Sequence, residues 1–316
     1  MTASPSGGKR GVAAVTGATG FLGRRLVPAL ERAGWGVRVL VRTVPAHGLW
    51  DGADPEPVVG DLDNVGALAR LVENARVVVH AAGLIKALHR RDFFAVNAAG
   101  AARIAHLTPG RMILVSSLAA RAPALSDYAA SKRAGEDAAL EALGPRLTVF
   151  RPPAIYGPGD RETLGLFRLA ARSPVLPLPG GPRARLALAH VDDVAGAIGD
   201  LAARDSSPGA VTFGGARPEG YDWREIMTQA SRAVGRRSHL VSLPRPLLTG
   251  AAALSATWAR RSGRPAIFTP GKARELLHED WSVSSDESAG VVREGAITLA
   301  EGFSSTVRWY RGQGWL

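Results

Sequence analysis

A glycine-rich segment near the start of the chain constrains the fold more than any other feature. Residues Val12–Thr16 predict a short buried strand, and residues 21–33 predict the helix that follows it. Between them, Gly17 permits a tight turn, Gly20 lets the backbone approach a ligand, and Gly23 lets the helix pack on the strand. An ordinary strand-to-helix turn is the alternative. Because amide N–H groups at a helix N-terminus bind phosphates, we expect a dinucleotide at Thr16, Gly17, Thr19, Gly20, Phe21, Leu22 and Gly23.

Short apolar runs alternate with helical segments through the first half of the chain. The runs predict further strands at 37–41, 58–61, 77–80, 112–116 and 148–151. Helices are predicted between them at 64–73, 92–107 and Asp127–Leu143. Strands of this kind form a parallel sheet that is covered on both faces. With right-handed crossovers, the pattern predicts an α/β fold built on a Rossmann-like, doubly wound parallel sheet.

The pattern becomes irregular after Tyr156. Residues 174–182 (PVLPLPGGP) predict a Pro/Gly-rich connection, and helices are expected at 190–203, 221–234, 272–277 and 306–314. We therefore predict a nucleotide-binding domain at residues 1–158, to which 189–215 returns. A smaller C-terminal substrate-binding lobe is expected at 159–188 and 216–316.

Composition limits the classes of function. The chain has 316 residues, no cysteine, and 39 basic against 28 acidic residues, which gives a formal net charge of +11. The absence of cysteine excludes disulfides, thiolate metal sites and a cysteine nucleophile. Most of the basic residues are arginines, and they are scattered rather than interleaved with aromatic residues, so nucleic acid is not an expected partner. The charge predicts at most a weak attraction to an anionic membrane surface.

Nothing in the sequence predicts a membrane-spanning segment. The longest apolar candidate, 246–259, falls short of the roughly 18–20 residues that span a bilayer and ends at Arg260 and Arg261. The polar N-terminus does not resemble a signal peptide. We expect a cytoplasmic protein, with peripheral contact at the inner face of the membrane left open. A homodimer is also compatible with the sequence.

The end of the second predicted strand bears on the choice of cofactor. An NAD enzyme usually carries an acidic residue there, which holds the ribose hydroxyls. This chain has Arg42 instead and no acidic residue from 36 to 48. A guanidinium can bind a 2′-phosphate with paired hydrogen bonds, so the sequence favours NADP, whereas NAD remains the alternative. An exposed arginine without a ligand is the competing interpretation of Arg42.

Three residues in the middle of the chain have the chemistry of a carbonyl reductase. Tyr128 and Lys132 are four apart on one helical face, and Ser117 follows the fifth predicted strand. A nearby ammonium lowers the pKa of a phenol, so the tyrosine is expected to exchange a proton with a substrate oxygen near neutral pH. A serine hydroxyl can hold that oxygen. Together with a dinucleotide loop upstream, the set predicts hydride transfer.

These motifs resemble the extended short-chain dehydrogenase/reductase superfamily, the epimerase/dehydratase type, over nearly the whole chain. They are TGATGFLG at 16–23, GDLDN at 60–64, HAAG at 80–83, VSS at 115–117, YAASK at 128–132, RPPAIYGPGD at 151–160 and HVDDVA at 190–195. The resemblance implies that Tyr128 exchanges the proton, that Lys132 binds the nicotinamide ribose, and that Ser117 rather than Ser116 holds the substrate oxygen. It also implies further cofactor contacts at Asp61, Leu62, Ala81, Ala82, Gly83, Asn97, Pro152, Ala154 and Ile155.

Two positions depart from the nucleotide-sugar enzymes of this superfamily. Ala154 and Leu186 stand where an asparagine and an arginine commonly grip a diphosphate, although Arg185 is adjacent to the second position. The segments SSLAAR, LSDYAASKRAGE, RPPAIYGPGDRETL and TVRWYRGQGWL resemble bacterial sphingolipid-pathway ketoreductases. This resemblance implies an apolar, long-chain substrate such as 3-oxosphinganine or an oxidised ceramide. A nucleotide-sugar epimerase or dehydratase is the alternative, followed by a non-catalytic dinucleotide-binding regulator.

The remaining candidates are interpreted as structural. No pair among the seven histidines has metal-ligand spacing, so no metal is expected and His80 is interpreted as a strand-end residue. Asp192 and Asp193 are predicted to cap a helix rather than to act as paired carboxylates. Tyr156 is assigned to a turn after a strand rather than to acid catalysis. The apolar run 247–258 is either a helix in the core of the lobe or a wall of a lipid pocket, and the core interpretation is preferred.

Overall fold

The apolar runs of the sequence form strands, and the segments between them form helices. The computed structural model describes residues 10–181, 183–266, 268–288, 291 and 294–316. The strands of this part of the chain are β1 Val12–Thr16, β2 Gly36–Val41, β3 Glu56–Val59, β4 Ala75–His80, β5 Arg111–Val115, β6 Leu147–Arg151, β7 Ala154–Tyr156, β8 Val175–Leu178, β9 Arg185–Leu186, β10 Leu188–His190, β11 Ala210–Thr212, β12 His239–Ser242 and β13 Asp280–Trp281. The helices are α1 Gly23–Arg32, α2 Val65–Val72, α3 Arg90–Phe94, α4 Gly100–Leu107, α5 Asp127–Leu143, α6 Leu164–Arg172, α7 Val191–Ala203, α8 Trp223–Ala233, α9 Arg245–Ser262, α10 Pro270–Leu277, α11 Ser285–Ser288 and α12 Leu299–Gly312.

A seven-stranded sheet carries the first half of the molecule, in the order β11-β6-β5-β4-β1-β2-β3. Every neighbouring pair in it is parallel. The strand order reverses between β1 and β4, and ligands of open α/β sheets bind in the crevice at such a point. The segments that leave the carboxyl ends of β1, β4 and β5 meet at this edge. The predicted Rossmann-like, doubly wound parallel sheet is confirmed.

Both faces of the sheet are covered by helices. Successive side chains of a strand point to opposite faces, so Val77 and Val79 pack with α1 and α7 whereas Val78 packs with α2, α4 and α5. All three valines have no exposed surface. Burial on both faces is the physical reason why the strands are continuous apolar runs in the sequence.

The other strands and the later helices surround a second core. The strands pair in parallel twos: β10 with β7, β12 with β8, and β13 with β9. Within this core Phe303 of α12 packs edge-to-face on Tyr156 and on Phe167, with centroid distances of 5.1 and 5.0 Å. The C-terminal helix α12 therefore holds β7 and α6 in place. It begins at Leu299, earlier than the predicted 306, because Thr298 and Glu301 form a capping box there.

Three predicted elements differ from the structure. The third strand ends at Val59 and not at Asp61, since the Asp61 carboxylate closes a turn by accepting from the N–H groups of Asp63 and Asn64. The helix predicted at 92–107 is α3 and α4 joined by a π-helical turn at Ala95–Ala99. The expected connection at 174–182 contains strand β8, and its last residue, Pro182, lies outside the described residues.

The predicted capping of α7 by Asp192 and Asp193 is wrong. His190 is the N-cap residue, and its Nδ1 accepts from the Asp192 N–H at 3.3 Å. Asp193 instead accepts from the backbone N–H of Ile297 at 2.8 Å, which ties α7 to the segment before α12. Imidazole nitrogen can cap a helix when it is neutral, and burial lowers the pKa of His190.

Strand β11 was not predicted, although residues 189–215 were assigned to the nucleotide-binding domain. It adds to β6 at the edge of the large sheet, and α7 packs against α1. The proposed division into two domains remains a prediction, and residues 1–9 of its first domain lie outside the described residues. None of the described helices has the combination of length and hydropathy that a membrane-spanning helix requires.

Candidate active site

The loop between β1 and α1 leaves no room for side chains at two of its glycines. Gly17 has a φ of +75°, and a Cβ atom added there would lie 2.6 Å from the carbonyl carbon of Ala81. A Cβ atom on Gly23 would collide with the carbonyl oxygen of Gly17. The indole N–H of buried Trp50 donates to the carbonyl oxygen of Ala18 at 2.9 Å, a support that the sequence analysis missed. The loop is therefore held tightly against the end of β4.

Helix α1 begins without a capping side chain. Its N-cap residue, Leu22, makes no side-chain hydrogen bond, and no acidic residue lies in the first turn. Thr19 and Gly20 are exposed beside this end, and Phe21 is half-buried. Uncapped N–H groups can bind an anion, and the helix dipole favours negative charge at this end. The geometry fits the pyrophosphate of a dinucleotide.

Thr16 and His80 join the ends of β1 and β4. The Thr16 hydroxyl lies 2.7 Å from His80 Nδ1 and also accepts from the Ala82 N–H at 3.3 Å. Burial, and secondarily the charge of Lys132, lowers the pKa of His80 to about 3. The ring is therefore neutral at physiological pH, and the prediction that it is structural is confirmed. The Thr16 hydroxyl beside this ring holds the segment 81–83 through Ala82. The segment ends at exposed Gly83, next to the Lys132 ammonium.

Asn97 lies in the π-helical turn and is buried. Its amide donates to the Leu84 carbonyl oxygen and to the Ser131 hydroxyl, both at 2.9 Å, and accepts from the Leu84 N–H at 2.7 Å. These bonds join α5 to the loop after β4. They make Asn97 a positioning residue for that loop, and its predicted direct contact with a cofactor remains a prediction.

The predicted adenosine side of the site lies at the ends of β2 and β3. Asp61 is exposed, and Leu62 is half-buried against Gly100 at the start of α4. Arg42 directly follows β2 and is exposed, and it makes no ion pair within the described parts of the chain. No acidic residue follows β2 in this turn. A guanidinium in this position is available to an anionic group of a ligand.

Helix α5 brings the tyrosine and the lysine to the end of β5. Ser126 caps it by accepting from the Ala129 N–H at 3.0 Å, so Tyr128 lies in its first turn. Lys132 lies one turn later, is only 6% exposed, and donates from Nζ to the carbonyl oxygen of Val115 at 2.7 Å. Burial lowers the pKa of Lys132 to about 8, while the charge of Glu136 acts in the opposite direction.

The prediction that a nearby ammonium lowers the pKa of Tyr128 is wrong. Burial raises the pKa of Tyr128 to about 12, a hydrogen bond with Ser117 acts to lower it, and the charge of Glu275 adds to the rise. The phenol is therefore protonated at neutral pH. Ser117 and Tyr128 lie together, as the sequence predicts. A protonated tyrosine beside a serine hydroxyl can act as an acid towards an oxygen held between them.

The sequence analysis missed a buried ionic group beneath these residues. Glu136 is 4% exposed and accepts from Arg151 in a bidentate pair at 2.8 and 2.6 Å. It also accepts from the Ser116 hydroxyl at 2.5 Å, so Ser116 is turned away from Tyr128. The signal was available: Glu136 follows Lys132 by four residues and lies on the same helical face.

A second unpredicted contact links the later helices to the N-terminus of α5. Buried Glu275 of α10 accepts from the capping hydroxyl of Ser126. The neighbouring Arg274 donates to the carbonyl oxygen of Leu125 at 2.7 Å. Helix α10 therefore lies against the helix end that carries Tyr128.

Ala154 and Leu186, which stand where diphosphate-binding residues would be expected, differ in exposure. Ala154 is exposed in β7, next to Ile155 and the buried Pro152. Leu186 is buried in the second core, and its backbone forms an antiparallel bridge with Tyr221. Burial raises the pKa of Tyr156, whose hydroxyl donates to a backbone oxygen at 3.5 Å, in agreement with a structural role.

A parallel Rossmann-like sheet with a glycine loop and a Ser–Tyr–Lys set at its carboxyl edge defines an NAD(P)-dependent oxidoreductase of the short-chain dehydrogenase/reductase class. Residues 13–212 match the NAD dependent epimerase/dehydratase family. The chain belongs to this family and is of the extended type.

The chain is also similar to individual known proteins. The chain is 50% identical to a ceramide reductase from Caulobacter vibrioides over 310 residues, which cover 97% of this chain and 96% of the relative. It is 29% identical over 255 residues to the 4-hydroxy-2-methyl-3-oxo-4-farnesyl-3,4-dihydroquinoline-1-oxide ketoreductase of Stigmatella aurantiaca, covering 73% of this chain and 75% of that one. The crystal structure of gox2253 superposes with a TM-score of 0.76 at 22% identity, over 96% of this chain and 99% of that chain, and shows the same fold.

The pKa of Lys132 leads to a pH prediction for NAD(P)H-dependent ketone reduction. Below a pH of about 8 the ammonium is charged and Tyr128 is protonated, so we expect a flat rate there. Above it the rate should fall by about tenfold per pH unit, as one essential proton is lost. In Glu136→Gln the carboxylate that raises the Lys132 pKa is gone, so the fall should begin at lower pH. Steady-state rates at saturating cofactor measure both, and a rate that rises through pH 8 would contradict the prediction.

Proposed function

We propose that this protein uses NADPH to reduce the 3-oxo group of a long-chain lipid, 3-oxosphinganine or an oxidised ceramide. The observation that carries the proposal is the half-buried Tyr128 phenol, which makes a hydrogen bond with Ser117 and whose pKa burial raises to about 12. A group that holds its proton at neutral pH is suited to give that proton to a carbonyl.

The reaction balances with the residues of this site and one dinucleotide. When bound, NADPH would supply a hydride to the carbonyl carbon and would leave as NADP+. Tyr128 donates its phenolic proton to the carbonyl oxygen, so that the ketone becomes an alcohol, and Ser117 holds that oxygen in place. Lys132 keeps a positive charge near the tyrosinate that forms. Solvent returns the proton to Tyr128 before the next turnover.

Two properties of the chain support an apolar substrate over a nucleotide sugar. Where a diphosphate grip would be expected, Leu186 is buried and Ala154 carries no hydrogen-bonding group. The half-buried Tyr128 ring packs edge-to-face with Phe93 at 6.3 Å, which gives the phenol an apolar neighbour on one side. The names of the two relatives, a ceramide reductase and a reductase of a farnesyl-bearing ketone, support the same class.

Arg42 supports the choice of NADPH. It is exposed where β2 ends and has no competing carboxylate within the described residues. Charge-assisted hydrogen bonds to a 2′-phosphate would favour NADPH over NADH. The remaining predicted dinucleotide contacts are proposed to run from the loop 16–23 through Asp61 and Leu62 to the segments 81–83 and 152–155.

Replacing Tyr128 by phenylalanine tests the proposed acid. Tyr128→Phe preserves the packing of the ring but removes the transferable proton, so kcat should fall by about 10²–10⁴-fold. The dissociation constant of NADPH, measured by fluorescence titration, should stay within about twofold, because the phenol is not a cofactor anchor. Tyr310→Phe is the matched control, since it removes a phenolic hydroxyl that donates to the carbonyl oxygen of Asp160 in the second core, and it should leave kcat near the wild-type value. A Tyr128→Phe enzyme with near wild-type turnover would refute the assignment.

Replacing Arg42 by alanine tests the cofactor preference. Arg42→Ala should weaken NADPH binding by about 1.5–3 kcal/mol, the usual range for hydrogen bonds to charged groups. NADH binding should change little. Arg32→Ala removes an equally exposed arginine at the far end of α1 and should affect neither cofactor. Equal losses for both cofactors in Arg42→Ala, or a wild-type preference for NADH, would contradict the proposal.

The substrate is tested by direct competition between classes. We expect NADPH oxidation with 3-oxosphinganine or an oxidised ceramide, and none with 4-keto nucleotide sugars. Each buried methylene contributes about 0.8 kcal/mol, so shortening the acyl chain should raise KM by about fourfold per methylene until the chain no longer reaches the site. Turnover or epimerisation of a nucleotide sugar, without activity on any long-chain ketone, would establish the alternative function. Dinucleotide binding without turnover of either class would indicate a regulatory protein.

A further inference from the structure

Helix α9 has an apolar stripe that the rest of the described chain leaves uncovered. Leu247, Leu254 and Trp258 are 62%, 74% and 64% exposed. At about 100° per residue, they and exposed Ala251 fall within about 60° of arc on the helix. The buried residues of α9, beginning with Leu248, lie on a different face that packs against α10. The preference for a core helix at 247–258 is thus correct only for that inner face.

The part of the chain that contains α9 carries only positive charge. Residues 226–274 contain nine arginines and lysines and no aspartate or glutamate, which makes them the longest stretch of the chain without an acidic residue. Within the described parts of the chain, only Arg245 and Lys272 of these nine form ion pairs. Arg260, Arg261 and Arg264 are exposed at the end of α9, one turn beyond Trp258. The stripe is therefore flanked by uncompensated positive charge.

This combination identifies the class of partner. Exposed leucine and tryptophan beside arginine is the composition of helices that lie in the interface of an anionic bilayer. Tryptophan favours the headgroup level, and arginine side chains can extend from it to lipid phosphates. A second copy of the chain is a poor occupant, since two such faces would bring like charges together.

We propose that the outer face of α9 docks on an anionic lipid bilayer, with the stripe Leu247, Leu254 and Trp258 at headgroup depth and Arg261, at the edge of the stripe, on lipid phosphates. The inner face of α9 packs on α10, and α10 contacts Ser126 and Leu125 beside Tyr128. One helix layer therefore separates the docked face from the reactive phenol. The inference concerns a surface and does not depend on the proposed reaction.

Vesicle co-sedimentation of the full chain tests the docking. We expect binding to vesicles of phosphatidylcholine with phosphatidylglycerol and little binding to phosphatidylcholine alone. Binding should weaken steeply in about 1 M salt, where the screening length falls to about 3 Å. Leu254→Ser with Trp258→Ser should reduce binding by about tenfold or more, because two large apolar groups are lost. Leu140→Ser with Val65→Ser, at residues 56% and 53% exposed on α5 and α2, is the matched control and should change it less than about twofold.

The charge and the depth are tested separately. Arg261→Gln should weaken binding by about fivefold, because each cation near an anionic surface contributes about that factor, whereas Arg32→Gln should not. Wild-type tryptophan emission should shift to the blue on binding, and Trp258→Phe should lose most of that shift while still co-sedimenting. Reduction of a short, soluble ketone should be unaffected in all of these variants, which separates this inference from the proposed function.

Three results would overturn the inference. The first is no binding to anionic vesicles at low salt. The second is an equal loss of binding in the control variants. The third is a dimer, seen by sedimentation velocity without vesicles, that Leu254→Ser with Trp258→Ser dissociates, which would assign the face to a second copy.

Discussion

Two charges buried one turn apart on α5 determine the arrangement of the site. Lys132 is 6% exposed and Glu136 is 4% exposed. A buried charge without partners costs several kcal/mol, so each must be satisfied by groups that the fold brings to it. Lys132 donates to the end of β5, and Glu136 accepts from Arg151 at the end of β6 and from Ser116 after β5. These bonds fix α5 in rotation and height against the sheet. Tyr128 and Ser117 come together as a consequence.

The parts of the fold that depend on local sequence were predictable. The glycine loop fixes a turn within eight residues, and the buried strands are apolar runs because helices cover both faces of the sheet. The Ser–Tyr–Lys set was also predictable, since a helix places residues four apart on one face. The predictions that failed concern features that depend on residues distant in the sequence. Asp192 looks like a helix cap in sequence, but His190 caps α7. Asp193 instead bonds to Ile297, which lies about a hundred residues further along the chain. Strand β11 is only three residues long and is defined by its pairing with β6.

The pKa of Tyr128 also depends on residues that are distant in the sequence, so local spacing does not predict it. From spacing alone, an ammonium four residues away suggests a lowered pKa. In the folded chain burial dominates and Lys132 directs its Nζ to a backbone oxygen, so the pKa rises to about 12. Desolvation depends on what covers the ring, and Phe93 and the later helices supply that cover. The protonation state matters for the proposed chemistry, because a phenol that keeps its proton at neutral pH can give it to a carbonyl oxygen.

The contact of α10 with the start of α5 connects the later part of the chain to the turn that carries Tyr128. Ser126 caps α5 and at the same time bonds to Glu275 of α10, so α10 cannot shift without disturbing the turn that carries Tyr128. Gly271 permits this approach, because a Cβ atom there would lie 2.9 Å from the Ser126 side chain. The charge of Glu275 also raises the Tyr128 pKa. A displacement of α10 would therefore move both the cap of the helix that carries Tyr128 and a carboxylate that raises its pKa. For the proposed long-chain substrate, which is sparingly soluble in water, the helix α9 that we propose to dock on a bilayer and the helix α10 that holds the start of α5 are adjacent layers of one structure.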